Sequence, residues 1–166
     1  FLEENKYNIS VIEGVMGLYD GLGGILENAS TYHLAKVLKS PIILIVDAHG
    51  MGRSVLAEIS GFLSMDTEHL ITGVILNRIT EMFYQSIKPV IEETLHIPVL
   101  GYYPMNKELH IESRYLGLKL PGEIDDFKQM VEKAAIELEK TINLDRVIEL
   151  ADQVKNLDCK RPEWMK

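Results

Sequence analysis

The sequence predicts an α/β fold, a three-layer sandwich built around a mainly parallel sheet. Short β-branched apolar runs alternate with amphipathic stretches of helical period, which is the pattern of right-handed βαβ units. Three of those runs, Ile42 to Asp47, Gly73 to Asn77 and Pro98 to Gly101, are almost continuously apolar. A strand with no in/out alternation reads as buried on both faces, as strands sandwiched between helices are. Two runs end in an acid, Glu13 and Asp47. That is the end of an open parallel sheet where ligands bind.

In chain order, Ile9 to Glu13 is the first expected strand, and a glycine-rich stretch follows it to Gly24. Ser30 caps a helix running to about Lys39, with Leu34, Val37 and Leu38 on one face. After the strand Ile42 to Asp47, Val55, Leu56, Ile59 and Leu63 recur at helical spacing from Arg53 to about Leu63. The strand Gly73 to Asn77 leads into a helix from Phe83 to about Leu95, then the strand Pro98 to Gly101. Tyr102 to Pro121 shows no period and reads as a long loop holding a short helix. Phe127, Met130, Val131, Ala134, Ile136 and Leu138 mark one further helix, and Val147, Ile148 and Val154 another. Residues 1–154 thus read as one domain and residues 155–166 as a tail or linker.

At 166 residues the chain has the length of one domain. Its net charge of −8, with basic residues scattered, argues against nucleic acid or anionic lipid as a partner. The longest apolar run, Ile42 to Val46, falls far short of the roughly 20 residues that cross a bilayer. No basic region precedes an apolar core as in a signal peptide. The single cysteine, Cys159, allows no intrachain disulfide and no cysteine metal cluster, which fits a reducing cytoplasm. The chain opens without an initiator Met, so it is expected to be a piece of a longer protein.

The densest chemical signal is Glu13-Gly-Val-Met-Gly-Leu-Tyr-Asp-Gly-Leu-Gly-Gly24, which holds 5 of the 12 glycines around two acids. Glycine lets a backbone approach a ligand closely. Glu13 and Asp20 there suit a magnesium ligand and a second acid that orients substrate or a metal-bound water. The plainer alternative is a pair of solvated loop acids. Asp47 opens an Asp-x-x-Gly and suits either a magnesium–phosphate site or a helix cap. Asn77 ends a strand and offers a donor and an acceptor to a base edge; ending the strand by turn chemistry is its other reading. Arg53 and Ser54 open a helix whose N–H groups suit an anion. His33, His49, His69, His96 and His110 show no metal-ligand spacing. Tyr19, Tyr102, Tyr103 and Tyr115 suit either a flat ligand or ordinary aromatic packing.

Glu13-Gly-Val-Met-Gly-Leu-Tyr-Asp-Gly21 resembles a motif of the cobyrinic acid a,c-diamide synthases. So do Asp47-Ala-His-Gly-Met-Gly-Arg-Ser54, Gly73-Val-Ile-Leu-Asn-Arg78, Leu100-Gly-Tyr-Tyr-Pro104 and Ser113-Arg-Tyr-Leu-Gly-Leu118, in the family's order. The set is specific for the P-loop amide and lactam ligases that include dethiobiotin synthetase, and its first motif points to the cobyrinate branch. The resemblance implies a P-loop NTPase sheet of the dethiobiotin-synthetase type. It also implies MgATP as co-substrate, glutamine as the ammonia source and a corrinoid as substrate. Two acetate side chains of the corrinoid, a and c, would become amides through acyl phosphates. By the same resemblance Glu13 and Asp20 act at the metal, and Asp47, Asn77 and Pro104 at the nucleotide. Arg53, Ser54 and Arg114 would face substrate carboxylates.

No Gly-x-x-x-x-Gly-Lys-[Ser/Thr] occurs in the sequence. The resemblance places that loop and its strand upstream, and the glutaminase domain downstream of the 155–166 linker. The fold is therefore expected to be incomplete, lacking its P-loop strand. An oligomer or a rearranged domain is expected when the chain is alone, and inactivity with it. The motifs also suit the nickel-sirohydrochlorin a,c-diamide synthases. A noncatalytic dethiobiotin-synthetase-like regulatory domain would share Gly73 to Arg78 without needing both loop acids. A partition-type ATPase is a third alternative.

Overall fold

The computed structural model describes residues 9–106, 109, 113–114, 117–118 and 127–154, with only the backbone of 113–114 and 117–118. Residues 155–166, with Cys159, and Tyr115 lie outside the described residues. In chain order the elements are α1 (Thr31–Leu38), β1 (Ile42–Asp47), α2 (Ser54–Met65), β2 (Ile71–Asn77), α3 (Glu81–Leu95), β3 (Val99–Tyr103), β4 (Ser113–Arg114), β5 (Gly117–Leu118), α4 (Phe127–Thr141) and α5 (Leu144–Asp152). The α/β architecture is the one expected. The chain divides into two compact units, residues 1–42, 66–72 and 145–166, and residues 43–65 and 73–144.

The second unit holds most of a three-stranded parallel sheet of order β1-β2-β3. β2 is central and buries Ile71, Gly73, Val74 and Leu76. β3 runs parallel to it, with Val74 opposite Val99 and Asn77 opposite Tyr103. The register shifts between Val74 and Ile75, so Leu100 is the extra residue of a bulge. Leu100 O accepts from Asn143 N–H at 2.8 Å, and Gly101 forms a bridge to Ile142. A Cβ at residue 101 would sit 2.6 Å from Ile142 Cα, so glycine lets that segment close on the strand.

Helix formation follows the apolar spacing. α2 buries Val55, Leu56 and Ile59, and α3 buries Tyr84, Ile87 and Ile91. α2 packs on α3, while α3 and α4 both pack on β3. Thr80 caps α3 by accepting from Phe83 N–H at 3.4 Å, two residues earlier than the apolar pattern alone indicates. His96, at φ 54°, ends it. Leu76, Ile91, Val46, Val55, Val74 and Ile59 are fully buried; each contributes about 1.5–3 kcal/mol by leaving water.

The first unit is organised around a polar knot. Ser30 caps α1, as expected, accepting from His33 N–H at 3.0 Å. Tyr32 is fully buried and its hydroxyl donates to Asp66 Oδ1 at 2.8 Å. Asp66, itself buried, also accepts from Leu70 N–H at 2.9 Å and Ile71 N–H at 2.7 Å. Tyr32 Oη in turn accepts from Glu68 N–H at 3.1 Å. Every buried polar atom of this knot is paired, which makes the desolvation tolerable.

Three sequence expectations need correction. Ile9 to Glu13 is not a strand: the segment is irregular, with Val11 90% exposed. β-propensity measures fit to a paired, half-buried surface, and among the described residues this run has no pairing strand. β1 is not buried on both faces: its burial alternates, with Leu44 and Val46 buried and Ile45 64% exposed, the pattern of a strand covered on one face. Finally, the Tyr102 to Pro121 region is not wholly a loop. Tyr102 and Tyr103 extend β3, and β4 pairs antiparallel with β5, Arg114 opposite Gly117. Among the described residues, no helix is long and apolar enough to cross a membrane.

Candidate functional site

The second unit brings three strand ends together. β1 ends at Asp47, β2 at Asn77 and β3 at Tyr103. Their backbones are tied: Ala48 N–H donates to Asn77 O at 2.9 Å, and Ile79 N–H donates to Tyr103 O at 3.4 Å. Arg78 lies between these two links with φ 58°, a left-handed conformation uncommon for a residue with a Cβ. Asn77 Oδ1 holds that turn by accepting from Arg78 N–H at 3.0 Å.

Arg78 reaches across to Asp47. Its Nε donates to Asp47 Oδ1 at 2.8 Å and its Nη2 donates to Asp47 Oδ2, making a two-point fork. Asp47 Oδ1 also accepts from His49 N–H at 3.2 Å. The Arg78 guanidinium holds the Asp47 carboxyl below the ordinary carboxylate range, helped by the His49 N–H against slight desolvation. Asp47 does not cap α2: the first turn there is closed by backbone bonds from Val55 N–H to Gly52 O and Leu56 N–H to Arg53 O.

An open cleft of about 490 Å³ lies at these strand ends, lined by Asn77, Arg78, Tyr103, Pro104, Met105 and Asn106. The volume is in the range of small-molecule sites. Asn77 and Pro104, which the resemblance assigns together to the nucleotide, both line this one cleft. Asp47 joins it through Arg78. With Asn77 Oδ1 engaged by the backbone on one side, its second lone pair and its amide N–H₂ remain the groups for a ligand.

Arg53 and Ser54 stand exposed at the start of α2. Arg114 lies in β4; its side chain is outside the described residues. The tyrosines are engaged in packing. Tyr102 stacks on Tyr84 with centroids 4.5 Å apart, and Tyr103 Oη donates to Ala134 O at 3.3 Å. Burial pushes both phenols up.

Glu13 and Asp20 belong to the first unit, and both are exposed. Asp20 closes a turn, its N–H donating to Gly17 O at 3.0 Å. Tyr32 anchors that turn: its N–H donates to Leu18 O at 2.9 Å and its ring meets Tyr19 at 4.9 Å. Tyr19 is pushed up to about 12 by burial, with the negative charge of Asp66 adding to it. Gly17 and Gly21 serve the loop's own close packing. A Cβ at residue 17 would sit 2.9 Å from Asp20 Cγ, and one at residue 21 would run into the carbonyls of Leu26 and Asn28. Among the described residues, no three His, Cys, Asp or Glu side chains converge as a ready-made metal cage. A magnesium ion held by one or two carboxylates, waters and phosphate oxygens needs no such cage.

Sequence reasoning passed over Arg78, although it is the last residue of a motif it singled out. The available signal was a cation just past a strand end, beside another strand that ends in an acid. Asp66 carried no signal, because burial of an acid is decided by the elements packed around it.

The comparisons with known proteins agree with the ordered motifs. No family model and no solved structure matches the chain. It is 39% identical over 157 residues to the cobyrinate a,c-diamide synthase of Listeria innocua, covering 94% of this chain and 35% of that protein. It is 41% identical over 158 residues to that of Thermoplasma volcanium, covering 93% and 34%. For Dehalococcoides mccartyi the identity is 37% over 162 residues, covering 94% and 35%. The chain is thus a relative of the cobyrinate a,c-diamide synthases along nearly its whole length, and it spans about a third of the length of these curated relatives.

Proposed function

We propose that this chain is part of the synthetase region of an ATP- and glutamine-dependent ligase that amidates the a and c acetate groups of cobyrinic acid. The observation that carries this reading is identity of 37–41% to proteins of that name over more than nine-tenths of the chain.

In the proposed reaction a corrinoid carboxylate attacks the terminal phosphorus of ATP, and ADP leaves. Ammonia released from glutamine then attacks the acyl carbon, and phosphate leaves with the amide formed. Such a reaction needs placement and charge stabilisation more than covalent help from the protein. Asn77 and Pro104 would receive the adenine in the cleft at the strand ends. Asp47 would serve the nucleotide's phosphate end. Glu13 and Asp20 are the carboxylates for magnesium, which when bound offsets negative charge on the transferring phosphoryl group. Arg53, Ser54 and Arg114 would meet the remaining carboxylates of the corrinoid. The chain alone would be inactive, because the phosphate-cradling loop and the glutaminase are assigned to other parts of the protein.

The test is amidation by the full-length protein with glutamine and MgATP, followed by mass spectrometry of the corrinoid. The expected product has lost, at each of the two carboxyls, the mass difference between a hydroxyl and an amino group. Glu13→Gln and Asp20→Asn should each abolish the change. A folded protein that amidates neither cobyrinic acid nor nickel-sirohydrochlorin would overturn the ligase reading.

A further inference from the structure

Arg78 has no role in the reading so far, yet among the described residues it is the guanidinium that lines the cleft and reaches across the strand ends. Its backbone is held in a left-handed turn by Asn77 Oδ1, and the links from Ala48 to Asn77 and from Ile79 to Tyr103 fix that turn on both sides. Keeping a residue with a Cβ there costs stability, and glycine or asparagine would do so more cheaply. The turn directs a five-donor planar cation over the carboxylate end of β1. The Arg78 and Asp47 side chains remain 45% and 51% exposed, so water and solutes reach both partners. An exposed pair of this kind is bound only weakly and is open to exchange.

We infer that Arg78 is a phosphate-binding residue of the nucleotide cleft, and that Asp47 competes with the phosphate for its guanidinium. This rests on the nucleotide reading of the cleft. With no ligand, the fork to Asp47 masks the cation and stores it in place. A nucleotide seated through its base on Asn77 and Pro104 brings an anionic group to the same strand ends. The guanidinium then changes partner, and Asp47 is released at the moment phosphate oxygens arrive. The exchange also gives the cleft selectivity: a ligand with no anionic group has nothing to offer Arg78 and leaves the Asp47 pair intact.

Calorimetric titration of the full-length protein with ADP and with adenosine, in magnesium-free buffer, tests this. Asp47→Asn should bind ADP about threefold to tenfold tighter than the wild type, since the masking partner is gone, and should bind adenosine unchanged. Arg78→Gln should weaken ADP and spare adenosine, and Arg78→Lys should fall between, having charge but no fork. In the double variant the gain from Asp47→Asn should disappear. If that gain persists without Arg78, Asp47 acts by simple repulsion of the phosphate and the exchange is overturned. It is equally overturned if Asp47→Asn gives no gain, or if adenosine gains as much as ADP. A wild-type protein that binds ADP without this coupling sinks the exchange alone; one that binds neither ligand sinks the nucleotide reading of the cleft as well.

Discussion

The strand-end cluster and the glycine-rich segment both carry acids assigned to the same chemistry, but they are held in different ways. Asp47, Asn77 and Arg78 stand on strand termini whose backbones are already linked by hydrogen bonds. Their side chains bond to one another and to the neighbouring main chain. Glu13 and Asp20 stand on a segment that makes no strand pairing among the described residues. It is organised by a turn at Gly17 to Asp20 and by Tyr32, which Asp66 holds from below. A site on a sheet inherits its geometry from the core. A site on a glycine-rich segment depends on a few anchors and on small residues that let it fold onto itself.

This contrast can be broken most forcefully at the two anchors. Leu76→Ala empties the core at the β2 position next to Asn77 and should cost about 2–5 kcal/mol in chemical denaturation, the largest effect expected. Asp66→Ala strands the buried Ile71 N–H, the part-buried Leu70 N–H and the Tyr32 hydroxyl, and should cost about 2–3 kcal/mol. Nucleotide binding through Asn77 should be affected more by the first change than by the second, which reaches β2 only at its first residue, Ile71. Equal effects of both on the cleft would mean that the two regions do not behave as separately anchored sites.

Subtler changes sharpen the comparison. Gly17→Ala places a Cβ against the Asp20 carboxylate and should lower amidation by the full-length protein about a hundredfold with little change in melting temperature. A large loss of stability instead would show that this segment is structural. Asn77→Ala should weaken nucleotide binding about tenfold by removing hydrogen bonds to the base, measured by calorimetry.

The smallest effect is the pH dependence of the Asp47–Arg78 pair. The folded state holds the Asp47 carboxyl below its ordinary range, so the pair stabilises above that range and its contribution is lost as pH falls through the lowered value. The difference in melting temperature between wild type and Arg78→Gln should therefore be small at neutral pH, vanish in acid and shrink with added salt. A difference that grows in acid would contradict the pairing.

Much of this molecule was readable without coordinates. Three of the four expected strands formed within two residues of their apolar runs, because each β-branched run finds a pairing neighbour in the sheet. Ser30 capped its helix as its hydroxyl and position indicated. The ordered motifs led to the relatives that the chain matches along nearly all its length. Where the reading failed, pairing decided. Ile9 to Glu13 has the side chains of a strand, but a strand exists only through its neighbour.

The sequence by itself therefore determined the class of fold, the positions of most helices and inner strands, and the kinship, since each follows from local pattern or from motif order. Only the tertiary structure decided that Asp47 is held by Arg78 rather than capping a helix, and that Asp66 is the buried hub that holds the Tyr32 hydroxyl. Those contacts join residues 31 and 34 positions apart in the chain. Such distances along the chain close only when the sheet and helices have packed, and no local rule of charge or period encodes which side chains then meet.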